Sequence, residues 1–231
     1  MALKDDLRTQ VKSTFEEAWT TRDGTVVPGT SDIKLNNDGV NLDATVLYAD
    51  LSESTAMVDK KKSTFSAEVY KNYLYCAGRL IRNYGGTITA YDGDRVMGVF
   101  IGDSKNTNAA RTALALNWAV EEIIRPELKA VYKSSDFVVR HTVGMDTSKL
   151  LVARTGVRGD NDLVWVGRAA NWAAKLTDLP NSTPLWMSKR VYDNMNESVK
   201  TAKDGRSMWS ARSWTQMNDE TVYCSTWRWQ P

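Results

Sequence analysis

The sequence predicts an α/β sandwich in which helices cover a largely antiparallel sheet. Three observations carry that expectation. Ala44 to Leu51 is a short apolar run holding a carboxylate near its end, the pattern of a buried strand. Gly86 to Tyr91 and Arg95 to Phe100 are β-rich runs joined at Asp92-Gly93, a hairpin signal because both central turn residues need positive φ. Two long stretches of helical periodicity flank the hairpin, and a further β-branched run follows the second. The resulting order, β-α-β-β-α-β with more strands and helices behind it, is close to ferredoxin-like. Such a scaffold assigns no function by itself.

Taken in order, Leu3 to Thr20 reads as an amphipathic helix, with Leu3, Leu7, Val11, Phe15 and Ala18 at helical spacing. A lid, a dimer arm and a packing helix are all open to it, and packing is the commoner outcome. Thr21 to Gly39 is rich in Gly, Pro, Asn and Asp and reads as loop. After the first strand, Ser52-Glu53-Ser54-Thr55 forms a strand-to-helix turn whose backbone N–H groups could cradle phosphate. Lys60 to Lys62 read as a solvated loop. Ser63 to Tyr84 is a helix burying Phe65, Val69, Tyr73, Cys76, Leu80 and Tyr84. A second helix, Asn106 to Tyr132, carries Pro126 near its end. Phe137 to Met145 is a strand containing His141, the single histidine, and such a residue is more often packed than catalytic. Lys149 to Val166 reads as strand, polar loop (Arg154 to Asp162) and strand. A helix over Gly167 to Asp178, a strand over Pro184 to Met187, a short helix from Ser188 and a Trp-rich tail from Met208 that may add strands complete the chain.

At 231 residues the chain is expected to be one large domain (41–231, with a Trp-rich C-terminal extension) preceded by an N-terminal helix and loop (1–40). Lys plus Arg total 30 and Asp plus Glu 28, so no bulk charge calls for nucleic acid or a membrane surface. No apolar run approaches the roughly 18 residues of a membrane span. The N-terminus has no basic region leading into an apolar one, and Cys76 and Cys224 match no metal spacing, so a reduced, cytoplasmic setting is expected.

The residues that carry chemistry stand at the strand ends. Asp50 and Asp94 are expected on neighbouring strands near one sheet edge. Two close carboxylates repel unless a cation lies between them, and oxygen-only ligands suit Mg²⁺ or Mn²⁺. The lesser alternative is that both are surface turn residues.

Tyr48-Ala49-Asp50-Leu51-Ser52-Glu53-Ser54-Thr55, then Gly85-Gly86, then Asp92 to Phe100, resembles the catalytic domain of the class III nucleotidyl cyclases. Val166-Gly167-Arg168-Ala169-Ala170-Asn171 through Leu176 is similar to that family's third motif. The likeness spans about Leu42 to Ser188, and three motifs in order are specific where one alone is weak. The resemblance implies attack of the ribose 3′-oxygen on the α-phosphate with loss of pyrophosphate, driven by positioning and charge. It implies two Mg²⁺ or Mn²⁺ ions held by Asp50, Asp94 and the Leu51 carbonyl. The triphosphate would meet the turn at Ser52, Ser54 and Thr55. Asn171 would orient the ribose, and Lys175, on the same helix side, would stabilise charge on the transferring phosphate. The family usually has Arg there, and Lys supplies the charge without the planar fork. Arg168, one turn earlier, could share that task. Sites of this family form between two subunits, so a homodimer is implied.

The family's base-reading pair corresponds here to Ala90 and Val164, and neither is polar. A site that rejects wrong bases needs placed hydrogen-bonding groups. Tyr48 falls on the same strand face as Asp50 and could shorten the pocket, and Arg95 could donate to a base carbonyl. These features resemble the bacterial pyrimidine cyclases of the anti-phage Pycsar systems, which implies UTP or CTP as substrate, cyclic UMP or cyclic CMP as product, and a separate effector as reader of that product. UTP is favoured, because an Arg donor suits the acceptor-rich uracil edge. An adenylate cyclase with an atypical pocket, a degenerate nucleotide-binding module and an RNA-binding module are the alternatives, the last opposed by near-neutral charge.

Overall fold

The computed structural model describes residues 2–231. After helix α1 (Leu3–Glu16) come strands β1 (Thr20–Asp23) and β2 (Asp38–Ser52), helices α2 (Ser54–Lys60) and α3 (Ser63–Asn83), and the hairpin β3 (Thr87–Asp92) and β4 (Arg95–Ile101). Helices α4 (Lys105–Ala119) and α5 (Arg125–Val131) lead to the hairpin β5 (Arg140–Val157) and β6 (Asp160–Val166). Helix α6 (Arg168–Leu176), strand β7 (Leu185–Ser188), helix α7 (Lys189–Asn194) and strands β8 (Ser210–Trp214) and β9 (Glu220–Ser225) follow.

The strands form one nine-stranded sheet in the order β3-β4-β2-β5-β7-β9-β8, with β1 parallel to β2 and β6 antiparallel to β5. The inner order β3-β4-β2-β5 is the expected ferredoxin-like arrangement, largely antiparallel. Its spine is the β2–β5 ladder, continuous from Gly39↔Ala153 to Ser52↔Arg140. Strand alternation divides the side chains. Leu47, Ala49, Leu51, Val96 and Phe100 face α3 and α4, whereas Val40, Leu42, Ala44, Val46, Met97 and Val99 face the side where α6 lies. That second face is only partly covered, and Tyr48 and Ala90 are half-buried at its margin.

Several expectations are corrected. The loop between the N-terminal helix and the first strand contains β1, and β2 begins at Asp38, so the boundary at residue 40 falls inside a strand. The extra length pairs with β1 and with Val152 and Ala153 of β5. The polar loop at Arg154 to Asp162 is mostly hairpin, because β5 and β6 pair to Val157↔Asp160. The turn after β3 is centred on Gly93-Asp94 with positive φ at Gly93 alone, the II′ pattern, so Asp94 lies within the turn. The helix across Asn106 to Tyr132 passes through a π-turn at Val120–Ile124 before Pro126, which has no N–H to donate. Of the three lysines expected in a solvated loop, Lys60 is the last residue of α2, Lys61 and Lys62 lie in the short link to α3, and Lys60 and Lys62 are exposed as expected. The N-terminal helix does not pack: none of its residues is buried.

The Trp-rich tail supplies the outer strands. Trp209 donates through Nε1 to the Val199 carbonyl at 2.7 Å, and Asn117 donates to the Trp227 carbonyl at 2.9 Å, which ties the tail to α4. His141 is buried between Tyr73 and Asn117, with ring nitrogens 3.4 Å from Tyr73 Oη and 3.2 Å from Asn117 Oδ1. Burial pushes its pKa down to about 3, so it is neutral and structural.

Gly144 sets how closely α6 seats. A Cβ there would meet the Ala173 carbonyl oxygen at 2.1 Å. Gly144→Ala should therefore lift α6 off the sheet and cost about 3 kcal/mol in urea unfolding. A loss below about 0.5 kcal/mol would show that this contact does not set the helix position.

Candidate active site

Asp50 lies two residues before the end of β2, directly opposite Arg95 on β4 and Thr142 on β5. Tyr48, two residues earlier, shares its face. The Arg95 guanidinium carbon sits 5.1 Å over the Tyr48 ring, and Arg95 pairs with Asp92 at 3.2 Å. Ala90 adjoins them on β3, opposite Met97. Tyr48, Asp50, Asp94, Arg95 and Ala90 therefore come together at one end of the open face.

The Asp50 carboxyl is raised to about 6, first by burial and next by the charge of Asp94, with Arg95 opposing. Burial likewise raises the Tyr48 hydroxyl. A half-buried carboxyl raised in part by the charge of a neighbouring carboxylate, in an oxygen-only setting, fits a divalent cation of the Mg²⁺ or Mn²⁺ type. Among the described residues no group of three or more His, Cys, Asp or Glu side chains is poised for a metal, so two carboxylates and backbone oxygen are the donors available.

The turn after Asp50 is more constrained than its composition foretells. Glu53 is left-handed (φ 63°) and caps α2, and its carboxylate binds Arg140 at 3.0 Å and Asn181 at 3.2 Å. Ser52 and Thr142 hydroxyls lie 3.0 Å apart, while Ser54 is half-buried and Thr55 exposed. No local motif signals Glu53, because its partners come from distant parts of the chain.

Helix α6 carries the other candidate residues. Ala169, Ala170, Ala173 and Leu176 face the sheet, so Asn171 and Lys175 project outward and are exposed. Lys175 has no ion pair among the described residues, and its Nζ lies 4.0 Å from Met217 Sδ in the tail. Arg168, the other candidate for the phosphate task, is engaged within its own chain. Its guanidinium lies 3.5 Å over the Trp172 ring, and its Nε is 3.5 Å from the carboxylate of fully buried Asp146 on β5. Trp172 packs edge-on against Trp214 at 5.3 Å. Arg168 thus orients the start of α6. Asp146 was invisible in the sequence as a partner, and burial raises its carboxyl while Ser188 and Arg168 oppose.

Val164 lies on β6 opposite Ala153, which pairs with Gly39. Gly39 is eleven residues from Asp50 along β2, so Val164 is about 36 Å from the carboxylates of its own chain.

The chain is 52% identical over its whole length to a uridylate cyclase of Xanthomonas perforans, covering 99% of that protein. It is 52% identical to a uridylate cyclase of Burkholderia cepacia, with 99% of each chain covered. The chain belongs to the uridylate cyclase family. It is therefore a nucleotidyl cyclase. No family model matches it. Among solved structures, the guanylyl cyclase Cya2 superposes with a TM-score of 0.68 at 15% identity over 84% of this chain and 96% of that one. The adenylyl cyclase CyaB of P. aeruginosa does so with a TM-score of 0.66 at 18% identity, over 80% and 94%. The fold is that of the class III cyclases. No helix among the described residues is long and apolar enough to cross a membrane.

The raised Asp50 pKa has a thermodynamic consequence. A carboxyl near 6 when folded and near its ordinary value when unfolded penalises the fold as pH rises from about 4 through 6, and the penalty is complete above that. In metal-free protein at pH 7.5, Asp50→Asn should melt higher than the wild type, by about 2–4 °C per kcal/mol released, and the gap should close near pH 4. Mn²⁺ should raise the melting point of the wild type only. Equal stabilisation of both by Mn²⁺ would remove Asp50 from the metal site.

Proposed function

We propose that this family member converts UTP to 3′,5′-cyclic UMP and pyrophosphate at a site shared by two copies of the chain. The observation that carries the reading is identity of 52% over the full length of relatives named uridylate cyclase. The arrangement of Tyr48, Asp50 and Arg95 supports it.

Asp50, Asp94 and the Leu51 carbonyl would hold the divalent ions. When bound, these supply charge neutralisation of the triphosphate and a more acidic 3′-hydroxyl. The chain's own residues do the rest. The ribose 3′-oxygen attacks the α-phosphorus, the bond to the bridging oxygen breaks, and pyrophosphate leaves. The 3′ proton passes to solvent. Ser52, Ser54 and Thr55 line the turn that receives the triphosphate, held in shape by the Glu53–Arg140 pair. Asn171 orients the ribose, and Lys175 adds positive charge at the transferring phosphate.

Two copies are needed because the half-sites are apart. Asn171 and Lys175 point away from the sheet that bears Asp50, and Val164 stands at the opposite end of the β2–β5 ladder. A two-fold axis that brings the Asp50 end of one chain to the α6–β6 face of another completes two equivalent sites. There Tyr48 fills the space an extended purine would occupy, between apolar Ala90 and Val164. Arg95, already steadied on Tyr48 and Asp92, donates to the uracil 4-carbonyl. Cytosine offers a donor at that position, so CTP is the poorer substrate. The product serves as a messenger in anti-phage defence, read by a separate effector.

Incubation with Mn²⁺ and equal ATP, GTP, CTP and UTP, followed by mass spectrometry, should yield cyclic UMP in excess. Cyclic AMP or GMP as the main product would overturn the base assignment. Asp94→Ala and Asn171→Ala chains should each be inactive, and their mixture should recover up to about a quarter of wild-type activity through heterodimers with one intact site. Absence of recovery in demonstrated heterodimers would overturn the shared site.

A further inference from the structure

We propose that helix α1 of one copy docks, through the Leu3–Leu7–Val11–Phe15 stripe, into the groove between α3 and α5 of a second copy. The inference stands apart from the catalytic reading, since neither surface carries a residue of the proposed site.

The stripe is an unsatisfied surface. Leu3, Leu7, Val11 and Phe15 recur every four residues along one side of α1, and they are 73%, 58%, 55% and 86% exposed. Four large apolar side chains in line on an otherwise polar helix are the pattern of a helix that lies in a groove. Among the described residues the helix is held at its C-terminal end only, where Asn37 donates to the Thr14 and Glu17 carbonyls at 2.8 and 2.7 Å.

A matching groove lies on the far side of the molecule. It is about 210 Å³, walled by Phe65 and Val69 of α3 and by Ile124 and Leu128 across from them. Ile123 and Val131 stand exposed on its rim. The π-turn at Val120–Ile124 shapes this wall.

Charge is complementary. Each of Leu3, Leu7 and Val11 is followed by a base, so Lys4, Arg8 and Lys12 form a row along one flank of the stripe. The groove is lined by two carboxylates, Glu68 and Glu127, and by no lysine or arginine.

The occupant must be a second copy, because α1 cannot reach its own groove. Its anchor at Thr20 pairs with Asp38, at the start of β2. The groove sits beside the other end of that strand, where Tyr73, between its lining residues Asn72 and Cys76, donates to the Asp50 carbonyl at 3.4 Å and Phe65 packs on Phe137 at 5.6 Å. Fourteen strand residues separate the two ends, about 45 Å. Phe15 lies five residues from Thr20 and can stray at most about 18 Å from it even when fully extended. The whole of α1 is about 21 Å long.

Cys76 lines the groove and is half-buried, whereas Cys224 is buried elsewhere, so a native thiol reports occupancy. A Val11→Cys chain, prepared unlabelled and ¹⁵N-labelled and mixed, would be oxidised and its disulfide peptides mapped by mass spectrometry. The expected result is a residue 11–Cys76 link joining labelled to unlabelled chains. Glu68→Lys with Glu127→Lys should cut the yield severalfold, and added Lys4→Glu, Arg8→Glu and Lys12→Glu should restore it. A link confined within single chains, or no link to Cys76, would overturn the proposal. A yield indifferent to both charge reversals would overturn its electrostatic part.

Discussion

The β2–β5 ladder is the constraint on which the rest of this molecule depends. Fourteen consecutive pairs, from Gly39↔Ala153 to Ser52↔Arg140, make a rigid strut. The paired carboxylates sit at one end, and β6 with Val164 leaves from the other. A ladder of that length cannot bend its ends together without breaking hydrogen bonds that have no other partner in the core. Asp50 and Val164 of one chain therefore stand at opposite ends of the ladder. In the proposed site, a second copy is what brings these two ends together.

The same strut separates a sealed face from a partly open one. The face with Leu47, Ala49 and Leu51 is sealed by α3 and α4, and Tyr73, Phe100 and Leu114 are fully buried there. The opposite face is sealed where alanines let α6 approach, at Ala169, Ala170 and Ala173 with Gly144 beneath, and where Ile33 and Val27 join the Val40 and Leu42 end. Small side chains on the helix and no side chain on the strand allow tight seating without an apolar bulk that would spread over the sheet. The rest of the face, from Tyr48 to Asp50, is left half-open. A partly open sheet face costs apolar burial, and Tyr48 with Arg95 stacked on it limits that cost while keeping polar atoms at the surface.

Much of this was legible in the sequence because the signals were local. The alternation through Ala44 to Leu51, the hairpin at Asp92 to Asp94 and the stripe of α3 each report their own environment. The misreadings came where environment is set from afar. The Gly- and Asn-rich stretch before β2 hides β1, whose pairing with Asp38 to Asn41 no local pattern announces. The polar residues from Arg154 to Asp162 look like loop, yet β5 and β6 satisfy their backbone as a solvent-exposed ribbon. Asp50 and Asp94 could be read as a pair because the hairpin brings them together. Asp146 could not, since an aspartate within an apolar strand shows its meaning only once α6 lays Arg168 beside it.

Helix α6 shows why its two cations are not equivalent. A period of 3.6 residues puts Lys175 with Asn171 on the outer side, while Arg168 lies at the shoulder where Asp146 and Trp172 can hold it. Planarity matters at the shoulder: a guanidinium can stack on an indole face and still turn Nε toward a carboxylate, which an ammonium cannot do. On the outer side the proposed mechanism requires only charge. A lysine there tolerates imprecise placement, because its attraction to phosphate depends on distance more than on angle. The positioning that an arginine fork would supply must then come from the helix itself. The Asp146–Arg168–Trp172–Trp214 stack is the part of the fold that fixes the helix. The Trp-rich tail is therefore more than an edge to the sheet, since Trp214 and Met217 bear on the helix at Trp172 and Lys175.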